Sequence, residues 1–184
     1  MKFLKYFLLI FIIASKALAY ESASYQVLKP ISTRIEIRKY EQMILAEVKS
    51  NHHEDDAFRI LFKFITGKNE KNQDIKMTTP VFQEVGDGEN VMSFVMPAQF
   101  KLEDLPKPQD EKIKFRVIKD QKFIAIKFSG FRSEKNYQKY ADRLKEAAKE
   151  NNINADFENP IRATYNPPWT LPFLRRNEVL FKIN

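Results

Sequence analysis

The chain has 184 residues, a formal net charge of +7, no cysteine and two histidines. Without cysteine there are no disulfides, no thiol chemistry and no cysteine-ligated metal or haem, so stability must come from core packing. The first nineteen residues carry three lysines and no acid, which leaves about +4 on the rest, too mild a charge to argue for a nucleic-acid partner.

Lys2 and Lys5 precede an apolar run from Tyr6 to Ala14, and Ala17-Leu18-Ala19 has the small-x-small form of a signal-peptidase site. The expectation is a leader over residues 1–19, cleaved before Tyr20, that exports the chain to the periplasm or the medium without stable membrane insertion afterwards. Residues 20–184 are then long enough for one domain with a core of its own. Tyr20 to Pro30 reads as an extended arm. Ile35, Ile37 and Tyr40 alternate with polar residues at the period of a strand, and Ile44 to Val48 reads as a second strand after a Glu41-Gln42 turn. Asn51 is the expected N-cap of a helix with Glu54 as its capping-box partner, and Gly67 the expected C′ residue. That helix carries two apolar stripes, Ala57/Leu61/Phe64 and Phe58/Phe62/Ile65, together wider than one sheet buries. The extra stripe needs a second packing partner or a ligand.

Ile75 to Gln83 is an expected strand broken by Pro80, Gly86-Asp87-Gly88 a turn, and Val91 to Met96 the returning strand with Met92, Phe94 and Met96 on one face. Pro97 to Pro108 is a proline-rich linker. The order then repeats. Ile113 to Val117 and Phe123 to Phe128 are expected to pair with each other, Ser133 to cap a helix, and Ala155 to Tyr165 and Glu178 to Ile183 to form the last strands. Two β-β-α-β-β halves, about 25–97 and 112–183, suggest a duplication with a period of roughly eighty residues. Two such sheets can close on each other as a barrel, which removes their edges.

Between the last strands lies Asn166-Pro167-Pro168-Trp169-Thr170-Leu171-Pro172-Phe173. Its prolines fix φ and remove backbone donors, so the loop is stiff and can present Trp169, Leu171 and Phe173 as an apolar wall for a flat ligand. His52 and His53 are the only histidines, and adjacent side chains do not converge well on one metal. No Gly-x-Ser-x-Gly elbow and no phosphate-cradling glycine loop occurs. Glu178 in Arg-Arg-Asn-Glu is the one carboxylate that stands out, as a partner of neighbouring arginines or as a base in a pocket.

Several motifs resemble the SOUL/haem-binding-protein family in the right order. They are Ile35-Glu36-Ile37-Arg38-Lys39-Tyr40, Gly67-Lys68-Asn69-Glu70-Lys71, Ile75 to Val81, Phe128-Ser129-Gly130, Asn166 to Trp169 and Arg175-Arg176-Asn177-Glu178-Val179. The resemblance implies an α+β fold, a distorted eight-stranded antiparallel β-barrel with two helices built from two pseudo-repeats. It also implies haem or another tetrapyrrole, a small hydrophobic planar ligand, held between the first helix and the loop before the last strand. Carried onto this chain, the helix side is Phe58, Phe62 and Lys63 and the loop side Trp169, Leu171 and Phe173, with Lys63 or Arg175 meeting a propionate. Some family members have a histidine where this chain has Lys39, so ligation from that position does not carry over. A hydrolase or isomerase using Glu178, and an envelope interaction module docking through the Trp169 loop, are the alternatives.

Overall fold

The computed structural model describes residues 20–50, 54–86 and 90–184. The expected leader, Asn51, His52, His53, Asp87 and Gly88 lie outside the described residues. The strands are β1 (Glu21–Ser22), β2 (Gln26–Pro30), β3 (Ile35–Ser50), β4 (Thr78–Thr79), β5 (Val81–Val85), β6 (Asn90–Val95), β7 (Lys114–Phe128), β8 (Ile161–Thr164) and β9 (Asn177–Lys182); the helices are α1 (Glu54–Ile65) and α2 (Glu134–Glu150). Strands β3, β6, β5, β8, β9 and β7 pair in that order, all antiparallel, and β7 pairs back onto β3, so six strands close a barrel. Strand β2 adds to the outside of β3, and two-residue β1 runs parallel to β4.

Six strands close the ring, where eight were expected, for a specific reason. The two predicted pairs, Ile35–Val48 and Ile113–Phe128, are each one continuous strand. Glu41-Gln42 is not a turn, and Phe123–Phe128 pairs with β3 and β9, not with Ile113–Val117. The β3–β7 ladder skips Glu41 and Asp120, and Asp120 sits at φ 50°. The pleat changes sides there. Tyr40 points into the barrel, but so do Met43 and Leu45, which an unbroken alternation would not allow. The switch gives the ends of each long strand different partners. Ile35 packs towards α2, whereas Ile44, Ala46 and Val48 pack under α1. On β7, Phe115 and Val117 pack towards α1, and Ile124, Ile126 and Phe128 lie under α2. A bend of this kind is how a long strand serves two layers.

Both helices follow from their sequences. Leu61, Ala57, Phe64 and Ile65 are buried on the sheet, while Phe58 and Phe62 stay outside. Gly67 closes α1 at φ 96°, and the Lys68 amide donates to the Lys63 carbonyl at 2.9 Å, the long bond of a Schellman end. Ser133 caps α2, its hydroxyl accepting the Asn136 amide at 3.3 Å. Ser133→Ala should cost about 1 kcal/mol. The check is a lower urea midpoint at unchanged slope, and an unaltered midpoint would deny the cap its role. The barrel interior holds Tyr40, Leu45, Phe82, Val95, Phe123, Ala163 and Leu180. It is a packed core rather than a lumen.

Candidate ligand-binding site

Helix α1 covers the outer face of β3 and β6, and α2 that of β7 and β9. The outer face of β5 and β8 between them carries Val81, Gln83 and Thr164, and a cavity of about 500 Å³ opens over it. Its walls are Phe58 and Phe62 of α1 on one side and Tyr165 to Trp169 on the other, with Met77, Met92 and Arg132 completing it. The size lies within the roughly 300–1,000 Å³ of small-molecule sites, and most of the lining is apolar.

Phe58 and Phe62 lie one helical turn apart, so their rings stack, 5.9 Å between centroids and 13° between planes. Phe58 also meets Phe94 edge-on at 5.2 Å, which anchors the pair on the sheet. Both rings still expose more than a third of their surface. The cis Thr79-Pro80 bond separates β4 from β5 at the cavity floor, where Thr79 and Val81 both line it.

The structure brings three of the seven expected residues, Phe58, Phe62 and Trp169, to one cavity. Lys63, Leu171, Phe173 and Arg175 do not line it. Lys63 lies on the exposed side of α1. Leu171 and Phe173 flank Pro172 in a short 3₁₀ turn and are 56% and 70% exposed. Arg175 holds the loop together, Nε donating to the Thr170 carbonyl at 2.7 Å and Nη2 to the Pro168 carbonyl at 2.6 Å. Its guanidinium therefore shapes the wall without facing the cavity. Arg132 is the lining cation that sequence reasoning missed. Burial first, then the charge of Arg175, lower its pKa from the ordinary guanidinium value. It has no carboxylate partner among the described residues. The available signal was its place just before Ser133, between the Phe128-Ser129-Gly130 motif and the helix cap. Lys39 makes an exposed ion pair with Asp120 at 3.1 Å.

Behind the cavity wall lies a buried ionic cluster. Glu178 is 2% exposed and accepts from Arg38 Nη2 at 2.5 Å, Tyr165 Oη at 2.9 Å and Arg176 at 2.7 and 2.9 Å. Burial pushes its carboxyl up, but Arg38 and then Arg176 outweigh burial and hold it below the ordinary value. A carboxylate held low by two cations and a phenol is a poor proton acceptor, so this geometry favours structural pairing over a base. Tyr165 is shared, since it lines the cavity and bonds Glu178.

Among the described residues, no group of three or more histidine and carboxylate side chains could hold a metal ion, and no helix is long and apolar enough to cross a membrane.

Known structures share the barrel. The EcmrR C-terminal domain superposes with a TM-score of 0.59 at 14% identity, over 87% of this chain and 98% of that one. A hydrolase from Listeria innocua gives 0.58 at 10% identity, over 93% and 96%. At such identities the likeness concerns the fold alone. By sequence, the chain is 25% identical over 170 residues to Heme-binding protein 1 of Xenopus tropicalis, covering 89% of this chain and 83% of that protein. The family model described as SOUL heme-binding protein matches residues 20–182, the whole barrel with both helices, and the chain belongs to that family.

Proposed function

We propose that this protein binds haem or a closely similar tetrapyrrole in the cavity between α1 and the loop before β9, as an exported carrier, buffer or sensor. The observation that carries this is the pair of aromatic walls, Phe58 and Phe62 facing Trp169, over a sheet face that neither helix covers. A flat macrocycle gains most from such walls by apolar burial and ring stacking. Arg132, a cation without a carboxylate partner among the described residues, suits a propionate better than Arg175, whose donors are engaged in the loop. The bound group would supply its iron. The chain would supply burial, orientation and the counter-charge. Export rests on the composition of residues 1–19. The two halves read as a duplication from the local echoes of Arg38 with Arg116, Ala46 with Ala125 and Thr79-Pro80 with Asn166-Pro167.

The test is a haemin titration of residues 20–184, following the Soret band and the emission of Trp169, the single tryptophan. Saturable one-to-one binding with quenched emission is expected. Phe62→Asp should weaken it at least about tenfold, since it removes a wall worth roughly 1.5–3 kcal/mol and adds a charge beside the carboxylates. A non-saturating titration, or a Phe62→Asp curve that overlays the parent, would sink the assignment.

A further inference from the structure

Trp169, Leu171, Phe173 and Leu174 are 56–76% exposed on one loop, and Phe131 is 67% exposed on another. The two loops are tied edge to edge. The Gly130 amide donates to the Pro172 carbonyl at 2.8 Å, and Asn177 Nδ2 donates to the Gly130 carbonyl at 3.3 Å. Pro167, Pro168, Pro172 and the two Arg175 bonds stiffen the larger loop. So many large apolar side chains, each with more than half its surface free, stand out from the molecule, and packing does not explain them.

The charge carried by the two loops themselves has one sign. Arg132 and Arg175 sit close enough for the charge of one to depress the pKa of the other, and neither pairs with a carboxylate among the described residues. No acid occurs in Ser129–Ser133 or Asn166–Asn177. An aromatic and aliphatic tip with a tryptophan, and at its base two arginines without carboxylate partners among the described residues, matches the interface of an anionic bilayer. A second copy fits worse, because a two-fold contact centred on this patch would set the arginines of one copy against those of the other.

We infer that the Phe131 and Trp169–Leu174 loops form a peripheral docking surface for a lipid bilayer with anionic headgroups. The apolar tips enter the headgroup boundary, and the positive charge of Arg132 and Arg175 at their base attracts the phosphates. The patch adjoins the cavity through Trp169, so docking would set the cavity mouth at the phase in which a flat apolar molecule dissolves. The inference itself needs no ligand in the cavity.

The test uses residues 20–184, which contain every strand and both helices of the described residues. Without haemin, the protein is sedimented with phosphatidylcholine vesicles and with mixed phosphatidylcholine–phosphatidylglycerol vesicles. Binding to the mixed vesicles is expected, weaker at high salt, with a blue shift of Trp169 emission. The double variant Phe131→Ser/Leu174→Ser changes two exposed residues outside the cavity lining. It should fold normally and lose vesicle affinity by at least about tenfold. Four results overturn the inference: no binding to either vesicle, equal binding to both, a double variant that binds like its parent, or concentration-dependent self-association that the double variant abolishes. A separate haemin titration of the double variant should match the parent. If haemin binding fails in both proteins while vesicle binding stands, only the tetrapyrrole reading falls.

Discussion

Replacing Arg38 by methionine should destabilise the protein by up to about 3–5 kcal/mol, because it removes the fully buried cation that makes the shortest contact to the buried Glu178 carboxylate. Arg38 is fully buried, and its guanidinium lies against the rings of Tyr25 and Tyr40, 4.3 and 5.3 Å from their centroids. Its partners are Glu178 at 2.5 Å and Glu36 at 3.4 Å. In the variant Glu178 would retain Arg176, which is partly exposed, and the Tyr165 hydroxyl. For a chain of this size the thermal midpoint should fall on the order of 10 °C, read by circular dichroism. Adding Glu178→Gln to the same variant should recover part of the loss, since the buried charge that had lost its Arg38 partner goes with it. A loss below about 1 kcal/mol would mean that the cluster is no more than a neutral exchange for packing.

The same cluster fixes the sign of the pH dependence. The carboxyl of Glu178 is held below 4.5 in the folded state. Its contribution is therefore fully present above the unfolded value and is lost as pH falls through it towards the folded one. Arg38 is raised well above the ordinary guanidinium value, so its contribution is complete at every pH of practical interest. The parent should thus lose stability more steeply below pH 4.5 than Glu178→Gln does.

Local signals were legible in the chain and distant ones were not. Ser133 and Gly67 announce helix ends because capping chemistry lies within a few residues. The closed barrel was visible as alternation, but its strand count was not. Alternation breaks at Glu41 and Asp120 as it would at a hairpin, and only the ladder shows that the chain runs on through a change of pleat. Glu178 was visible as a candidate for arginine pairing with Arg175 or Arg176. Arg176 does pair with it, but Arg175 is occupied by loop carbonyls, and the shortest contact comes from Arg38, 140 residues away. In the proline loop the apolar character was plain, yet the facing was not. A 3₁₀ turn at Pro172–Leu174 turns Phe173 outwards while Trp169 stays on the cavity wall.

Phe62 and Phe64 put that distinction between wall and core to a direct test within one helix. They stand two residues apart, about 200° around the axis, and should answer to different measurements. Phe64 is 1% exposed, meets Phe115 edge-on at 5.8 Å and sits among Ile44, Leu61 and Phe94. Phe64→Ala should cost about 3–5 kcal/mol, the lost transfer energy plus the cavity left behind. Phe62 is 46% exposed and stacks only on Phe58 among the ring contacts. Phe62→Asp should change stability by roughly 0.5 kcal/mol or less while weakening haemin. Equilibrium unfolding in urea separates the two, since a core loss moves the midpoint and a wall loss does not. If Phe62→Asp unfolds the protein as readily as Phe64→Ala, then Phe62 is core rather than a cavity wall. Any haemin effect of that variant would then report loss of the fold, and the opening over β5 and β8 would lose one of its two aromatic sides.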